Sequence, residues 1–228
     1  MVASWPPHSH TFRALLLRAD LLYRKCCLSQ DSAGLTRTYR VTIRSPITGW
    51  RHLAQVEKQP NSRYCFLCGL ENPIGLKLAF YADEANRVIT RYVPDAPHQG
   101  YPGILHGGII CALLDETIGR TLLRENIWAM TVELNVRFCK PVPLGQPITV
   151  VGEIVRLRSR TMEGRGQVLL ADGSVAASAE AKYIRLSEAQ TQRFREELGF
   201  WQVVPDANPE RADSSEVEPN SPVLRNGE

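Results

Sequence analysis

Residues His106–Arg124, HGGIICALLDETIGRTLLR, decide how this chain folds. Two glycines open the stretch, an apolar run follows, and one acidic pair, Asp115 and Glu116, stands in its middle. The composition reads as one long helix, apolar on nearly every side, which other parts of the chain must cover. The first amides of a helix have no internal acceptor, and Gly107 and Gly108 let a ligand come close. This end is therefore a socket for a negative oxygen. Asp115 lies seven residues beyond Gly108, which returns it to the same helix face. Seven residues rise roughly 10 Å, too far for one reacting atom to touch both the socket and the carboxylate of a single helix. A second, antiparallel copy of the helix would bring its own Asp115 to the socket.

What covers the helix is legible on both sides of it. Upstream, Leu76, Leu78 and Phe80 alternate with Lys77, Ala79 and Tyr81, and after a polar turn at 83–86 the run Arg87–Val93 completes a hairpin. A loop rich in Pro and Gly, residues 94–105, delivers the chain to the helix. Downstream, Val132, Leu134, Val136 and Phe138 alternate with Glu133, Asn135 and Arg137, the period of a half-buried strand. Further strands are expected at 147–157, 164–170 and 175–186, the last after the tight-turn pair Asp172-Gly173. Ala177, Ala179 and Ala181 share one face of that strand and suit close packing against a bulky helix. The fold class is α+β: an antiparallel sheet wrapped around one long central helix within residues 58–187. One such sheet leaves edges unpaired, so two copies are expected to associate edge to edge.

Composition narrows the function. A chain of 228 residues, 43% hydrophobic, buries one good core. Its net charge of +3 is spread along the sequence, which gives no argument for nucleic acid. No apolar run approaches the about 18 residues that cross a bilayer, so no membrane insertion is expected. Six cysteines without a secretory signal suit reduced thiols in a cytoplasm-like compartment. Cys111 and Cys139 read as packing residues. The pair Cys65-x-x-Cys68 supplies two thiolates where a tetrahedral zinc site wants four ligands, and no second pair follows, so a turn is the better reading and no metal is expected. Residues 1–57 are basic and resemble an organellar transit peptide in charge, the plainer reading being a poorly structured extension. Ser187–Leu198 reads as a helix capped by Ser187, followed by a polar tail expected to be disordered, so that 188–228 lie outside the domain.

The segments Asn72-Pro73-Ile74-Gly75-Leu76 and Pro102-Gly103-Ile104-Leu105-His106-Gly107-Gly108, with Asp115 nine positions after His106, resemble the hot-dog-fold acyl-CoA thioesterases. The branch is that of the phenylacetate-pathway thioesterases and the animal thioesterase-superfamily members, and the resemblance spans residues 60 to 187. It implies a helix lying in a curled sheet and two chains forming one continuous sheet, as a homodimer or homotetramer, with two sites between them. It also implies that backbone amides near His106 and Gly107 hold the thioester carbonyl, while Asp115 of the partner chain is nucleophile or general base. Relatives use a Ser or Thr early in the strand after the helix, and Thr131 matches, although simple alternation puts Thr131 on the face of Glu133 and Asn135. Some relatives carry an Asn six residues before the His as a second carbonyl donor. Here that position is Gly100, with Gln99 beside it.

Thioester hydrolysis suits so small a site, because a thiolate leaves well at neutral pH. The protein must supply only oxyanion stabilisation and an activated water or carboxylate. An isolated Asp is a poor base, with a pKa near 3.9, so partial burial should raise that of Asp115. Glu116, about 100° round the helix, is the alternative acid. His106 is expected to position backbone rather than move protons, and His98 reads as a loop residue. The coenzyme's phosphates call for cations, for which Arg156, Arg158, Arg160 and Arg165 around one hairpin are candidates. No cofactor beyond the coenzyme A of the substrate is implied. The rival readings are a hydratase or dehydratase on the same fold, which needs a His–acid pair across the site, and a non-catalytic acyl-CoA-binding module.

Overall fold

Seven strands of the computed structural model, which describes residues 56–206, form one antiparallel sheet. Expectations for residues 1–55 and 207–228 lie outside the described residues. The strands are β1 (Val56–Lys58), β3 (Phe80–Asp83), β4 (Val88–Tyr92), β5 (Ala129–Phe138), β6 (Ile148–Leu157), β7 (Thr161–Leu169) and β8 (Val175–Arg185). Their order across the sheet is β1-β3-β4-β6-β7-β8-β5. The strand that follows the helix is thereby placed at one edge, and β1 at the other. Val56 and Glu57, expected in the unstructured extension, already pair with β3 in β1.

The central helix α1 (Gly107–Gly119) lies against this sheet and buries Ile110, Leu113, Leu114, Thr117 and Ile118. Interior strands meet it through small residues. A Cβ at Gly152 of β6 would fall 2.8 Å from the Ile118 backbone, and one at Gly164 of β7 would fall 2.4 Å from its Cγ2. On β8, Ala177, Ala179 and Ala181 are all buried. Residues without bulk allow the sheet to approach a helix that is itself bulky. The helix was expected to run to Arg124, but after Gly119 it tightens into a 3-10 turn, Arg120–Glu125, closed by Asn126 in the left-handed region at φ 53°. This is the hot-dog arrangement.

Two sequence patterns mislead. The alternation at 76–79 is not strand: Lys77 has φ 53°, and the amides of Leu76 and Leu78 donate to the carbonyls of Phe66 and Leu67 instead. In β5 the register against β8 shifts between Thr131 and Glu133, so Val132 is an extra, bulged residue. A bulge reverses the facing of everything before it. Thr131 pairs with the buried Tyr183 and therefore shares the inward face with Leu134 and Val136, not that of Glu133.

From residue 188 to residue 206 the chain stays on the domain. Helix α2 (Glu188–Leu198) starts with a capping box between Ser187 and Gln190. After it β9 (Trp201–Gln202) pairs with β2 (Asn61–Ser62). Trp201 packs against the core cluster, and Arg120 lies 5.3 Å from its ring. No described helix is long and apolar enough to cross a membrane.

Candidate active site

The N-terminus of α1 is partly occupied by its own residues. His106 is the N-cap, and its Nδ1 accepts from Gly108 N–H at 2.9 Å. The His106 N–H donates to the His98 carbonyl, and Ile109 and Ile110 donate to the His106 carbonyl. Gly107 N–H has no partner among the described residues. The socket expected from both glycines thus narrows to one amide, with Gly108 spent on holding the histidine. Gly107 itself leaves room, since an added Cβ would only reach ordinary contact with the Phe138 ring at 3.5 Å.

The loop ahead of the helix braces this geometry. Gln99 Oε1 accepts from Gly103 N–H at 3.0 Å. Gly100 N–H donates to the Ile104 carbonyl, and a Cβ at Gly100 would stand 3.2 Å from His106 Cα. The chain fills with His106 the space where a side chain at position 100 would begin. His98 Nδ1 is hydrogen-bonded to the Tyr92 hydroxyl at 2.7 Å. Each histidine of the loop therefore has one ring nitrogen in a structural bond, which weakens the reading that needs a His–acid pair.

Asp115, eight residues along α1, is half-buried beside β5. Its Oδ1 accepts from Thr131 Oγ1 at 2.8 Å, a bond that exists because the bulge turns Thr131 inward. Tyr183 donates to the Asp115 carbonyl at 3.2 Å and fixes the helix there. Burial pushes the carboxyl above its ordinary 3.8, the Thr131 bond pulls it down, and neighbouring Glu116 pushes it up. Gly107 and Asp115 are about 12 Å apart along one helix axis. One chain does not bring them to the same atom.

Asp115 and Thr131 line a cleft of about 580 Å³. One wall carries Glu116 together with residues that sequence reasoning left out of the site, Cys65, Cys68 and Arg120. Arg120, nearly fully buried, donates from Nε to Glu116 Oε1 at 2.8 Å and from Nη1 to the Pro60 carbonyl at 3.0 Å, with Phe80 under its guanidinium. Glu116 is thereby tied to an arginine, and the second candidate acid is a structural partner. The Cys68 thiol falls to about 6, because Cys65 donates to it and Arg120 and Ser62 stand beside it. Phe194, Leu198 and Trp201 form another wall, although α2 was expected outside the domain. Its apolar residues Phe194 and Leu198, spaced four apart in an otherwise polar helix, are the signal that could have placed it.

Arg156, Arg158 and Arg160 sit at the exposed β6–β7 hairpin and do not line the cleft. Arg156 pairs with Glu163 at 3.5 Å, and Arg165 pairs with Glu153. Arg158 and Arg160 make no ion pair among the described residues. The hairpin lies toward the Thr131 end of the sheet, where Arg185 donates to the Arg160 carbonyl and Ala129 pairs with Arg185. Cys111 and Cys139 are half-buried and reduced.

A family model described as Thioesterase superfamily matches residues 102–177, from the loop before α1 to the start of β8. Over these residues the chain is similar to the thioesterase superfamily. A crystal structure of a thioesterase superfamily protein superposes with a TM-score of 0.52 at 22% identity, covering 79% of this chain and 81% of that one, and shows the shared fold. Among curated members the chain is 30% identical over 107 residues to acyl-coenzyme A thioesterase THEM4 of Mus musculus and 31% identical over 107 residues to that of Rattus norvegicus. Each match covers 46% of this chain and 46% of the relative. The chain spans about half the length of the curated relatives it matches.

Proposed function

We propose that this chain hydrolyses an acyl-CoA thioester to the free acid and coenzyme A, at a site shared by two copies paired along β5. The observation that carries the reading is the Thr131–Asp115 pair at one end of an open edge strand, with the unpartnered Gly107 amide at the other end. Phe138 beside Gly107 marks that second end. Two edge strands that pair antiparallel about a two-fold axis bring the Thr131 end of one strand toward the Phe138 end of the other. Asp115 of one copy then comes to Gly107 of its partner. Met130 and Val132 are 55% and 57% exposed on this edge, apolar surface that such pairing would cover.

In the step itself, the Asp115 carboxylate takes a proton from water as the water oxygen bonds to the thioester carbonyl carbon. The partner's helix end, through its Gly107 N–H, receives the carbonyl oxygen as it becomes negative. Collapse of the tetrahedral intermediate breaks the carbon–sulfur bond, and the proton passes from Asp115 to the departing thiolate. Burial suits Asp115 to this work by lifting its pKa toward neutrality. The names of the THEM4 relatives support the substrate class.

The test is thiol release from short, medium, long and aryl acyl-CoAs by the purified protein. Asp115→Asn should lower kcat by about 100-fold or more while the protein stays folded. Undiminished release by that variant overturns Asp115 as the base, and binding of acyl-CoA without any release by the wild-type protein points to the non-catalytic module instead.

A further inference from the structure

We propose that Cys65, Cys68 and Glu116 form a binding site for a thiophilic divalent cation, zinc by its chemistry, that staples the Cys65–Cys68 turn to the central helix. Sequence spacing counts only two thiolates here. The fold adds a carboxylate from α1, fifty-one positions after Cys65, and brings the three donor atoms within 4.8 Å of one another. Cys65 Sγ stands 4.0 Å from Glu116 Oε1. In a tetrahedral site with zinc–sulfur bonds near 2.3 Å and zinc–oxygen bonds near 2.0 Å, donors lie about 3.5–3.8 Å apart. Closing from the first spacing to the second takes shifts of about 1 Å or less.

The turn is shaped for a bound thiolate. Leu67 and Cys68 donate their amides to Cys65 Sγ at 3.3 and 3.5 Å, and Ser62 Oγ lies 3.4 Å from Cys68 Sγ. Sulfurs bound to a metal keep acceptor capacity, which outer hydrogen bonds of this kind fill. Gly69 closes the turn by donating to the Cys65 carbonyl at 2.8 Å. A Cβ there would fall 2.4 Å from that same oxygen, so no other residue fits. The carboxylate is held as well, with Arg120 Nε on Glu116 Oε1 at 2.8 Å.

Charge agrees with this assignment. Two thiolates, one carboxylate, one guanidinium and one divalent cation sum to zero, as a group around the nearly fully buried Arg120 and Cys68 requires. Two sulfurs with one oxygen favour zinc over magnesium or calcium. Three protein donors leave a fourth position for water from the cleft. The ion would fix the cleft wall formed by the turn, and the site stands independently of any hydrolysis beside it.

Reduced full-length protein, stripped of metal by dialysis against a chelator, is titrated with cobalt(II) and then with zinc. Sulfur-to-cobalt charge-transfer absorption should saturate at one cobalt per chain and vanish on adding one equivalent of zinc. Cys65→Ser and Cys68→Ser should each abolish it, and the double change Cys26→Ser with Cys27→Ser should leave it intact. Glu116→Gln should retain thiolate absorption with affinity weakened about tenfold or more. In the wild-type protein, zinc should shield Cys65 and Cys68 from alkylation, read by peptide mass, so the assignment does not hang on whether the serine variants fold. No thiolate absorption at one equivalent, its survival in both serine variants, wild-type affinity in Glu116→Gln, or full alkylation of both thiols under zinc overturns the proposal.

Discussion

The interior strands β6 to β8 and the edge strand β5 carry similar alternating patterns, yet they are used differently. The interior strands close on Ile118 through Gly152, Gly164 and Gly166 and bury Met162, Val168 and Ala177. Strand β5 keeps Met130, Val132 and Phe138 partly in solvent and breaks its own register at Val132. The first region is complete within one chain. The second holds the polar pair of the site, Thr131 and Asp115, and displays the apolar surface that a second chain would cover. Fit to the helix is what the interior spends its small residues on, whereas the edge spends stability on exposure.

Charging the edge should break this contrast most severely. Met130→Lys with Val132→Lys is expected to leave a folded monomer by circular dichroism and sedimentation, and to abolish thiol release, because each carboxylate loses its partner's amide. A folded monomer that retains full activity would contradict the shared site. The interior should respond in stability instead. Gly152→Ala forces a Cβ onto the helix backbone and should cost about 1–3 kcal/mol in denaturant unfolding. Gly107→Ala, which meets only the Phe138 ring at 3.5 Å, should cost well under about 1 kcal/mol.

Thr131→Val removes a donor from the Asp115 carboxylate, a bond that holds its pKa down. The acid limb of kcat/KM, where activity falls as Asp115 takes a proton, should move to higher pH. The rate at neutral pH should drop about tenfold, the worth of one hydrogen bond to a charged group. An unmoved limb would separate Thr131 from the titrating acid. Stability carries the opposite signature. The folded-state pKa of Asp115 lies above its ordinary 3.8, so the ionised form is disfavoured by folding. Its contribution is fully present below 3.8 and is lost as pH rises through the folded value. Asp115→Asn should therefore melt higher than the wild-type protein at neutral pH and show no gain at pH 3. The smallest effect is expected from Arg158→Ala with Arg160→Ala: a KM raised about tenfold or less, kcat unchanged, with the difference shrinking at high salt.

Where one local pattern dominated, the fold was legible in the sequence. The apolar run at 109–114 demanded a covered helix, and strand patterns at 148–157 and 175–185 supplied the cover. Patterns that depend on one backbone angle or on distant pairing were not legible. Lys77 in the left-handed region ends the apparent strand at 76–79, and the bulge at Val132 reverses the facing of Thr131. Asp115 stood out because an acid among buried leucines needs a reason. The meeting of Glu116 with Arg120 and a cysteine turn did not, because it is a product of tertiary structure. Gly108 looked like half of a socket until its amide was found on His106 Nδ1.

The central claim is that a carboxylate and an amide from different chains act on one thioester, and subunit mixing tests it most directly. Asp115→Asn removes the acid from one end of the helix, and Gly107→Val crowds the amide at the other, so each variant alone should be inactive. After exchange of subunits, half of the randomly formed pairs are mixed and each restores one of two sites, giving about a quarter of wild-type activity. Activity that does not rise above the two inactive parents, in a mixture shown by mass to contain the mixed pair, would contradict the account.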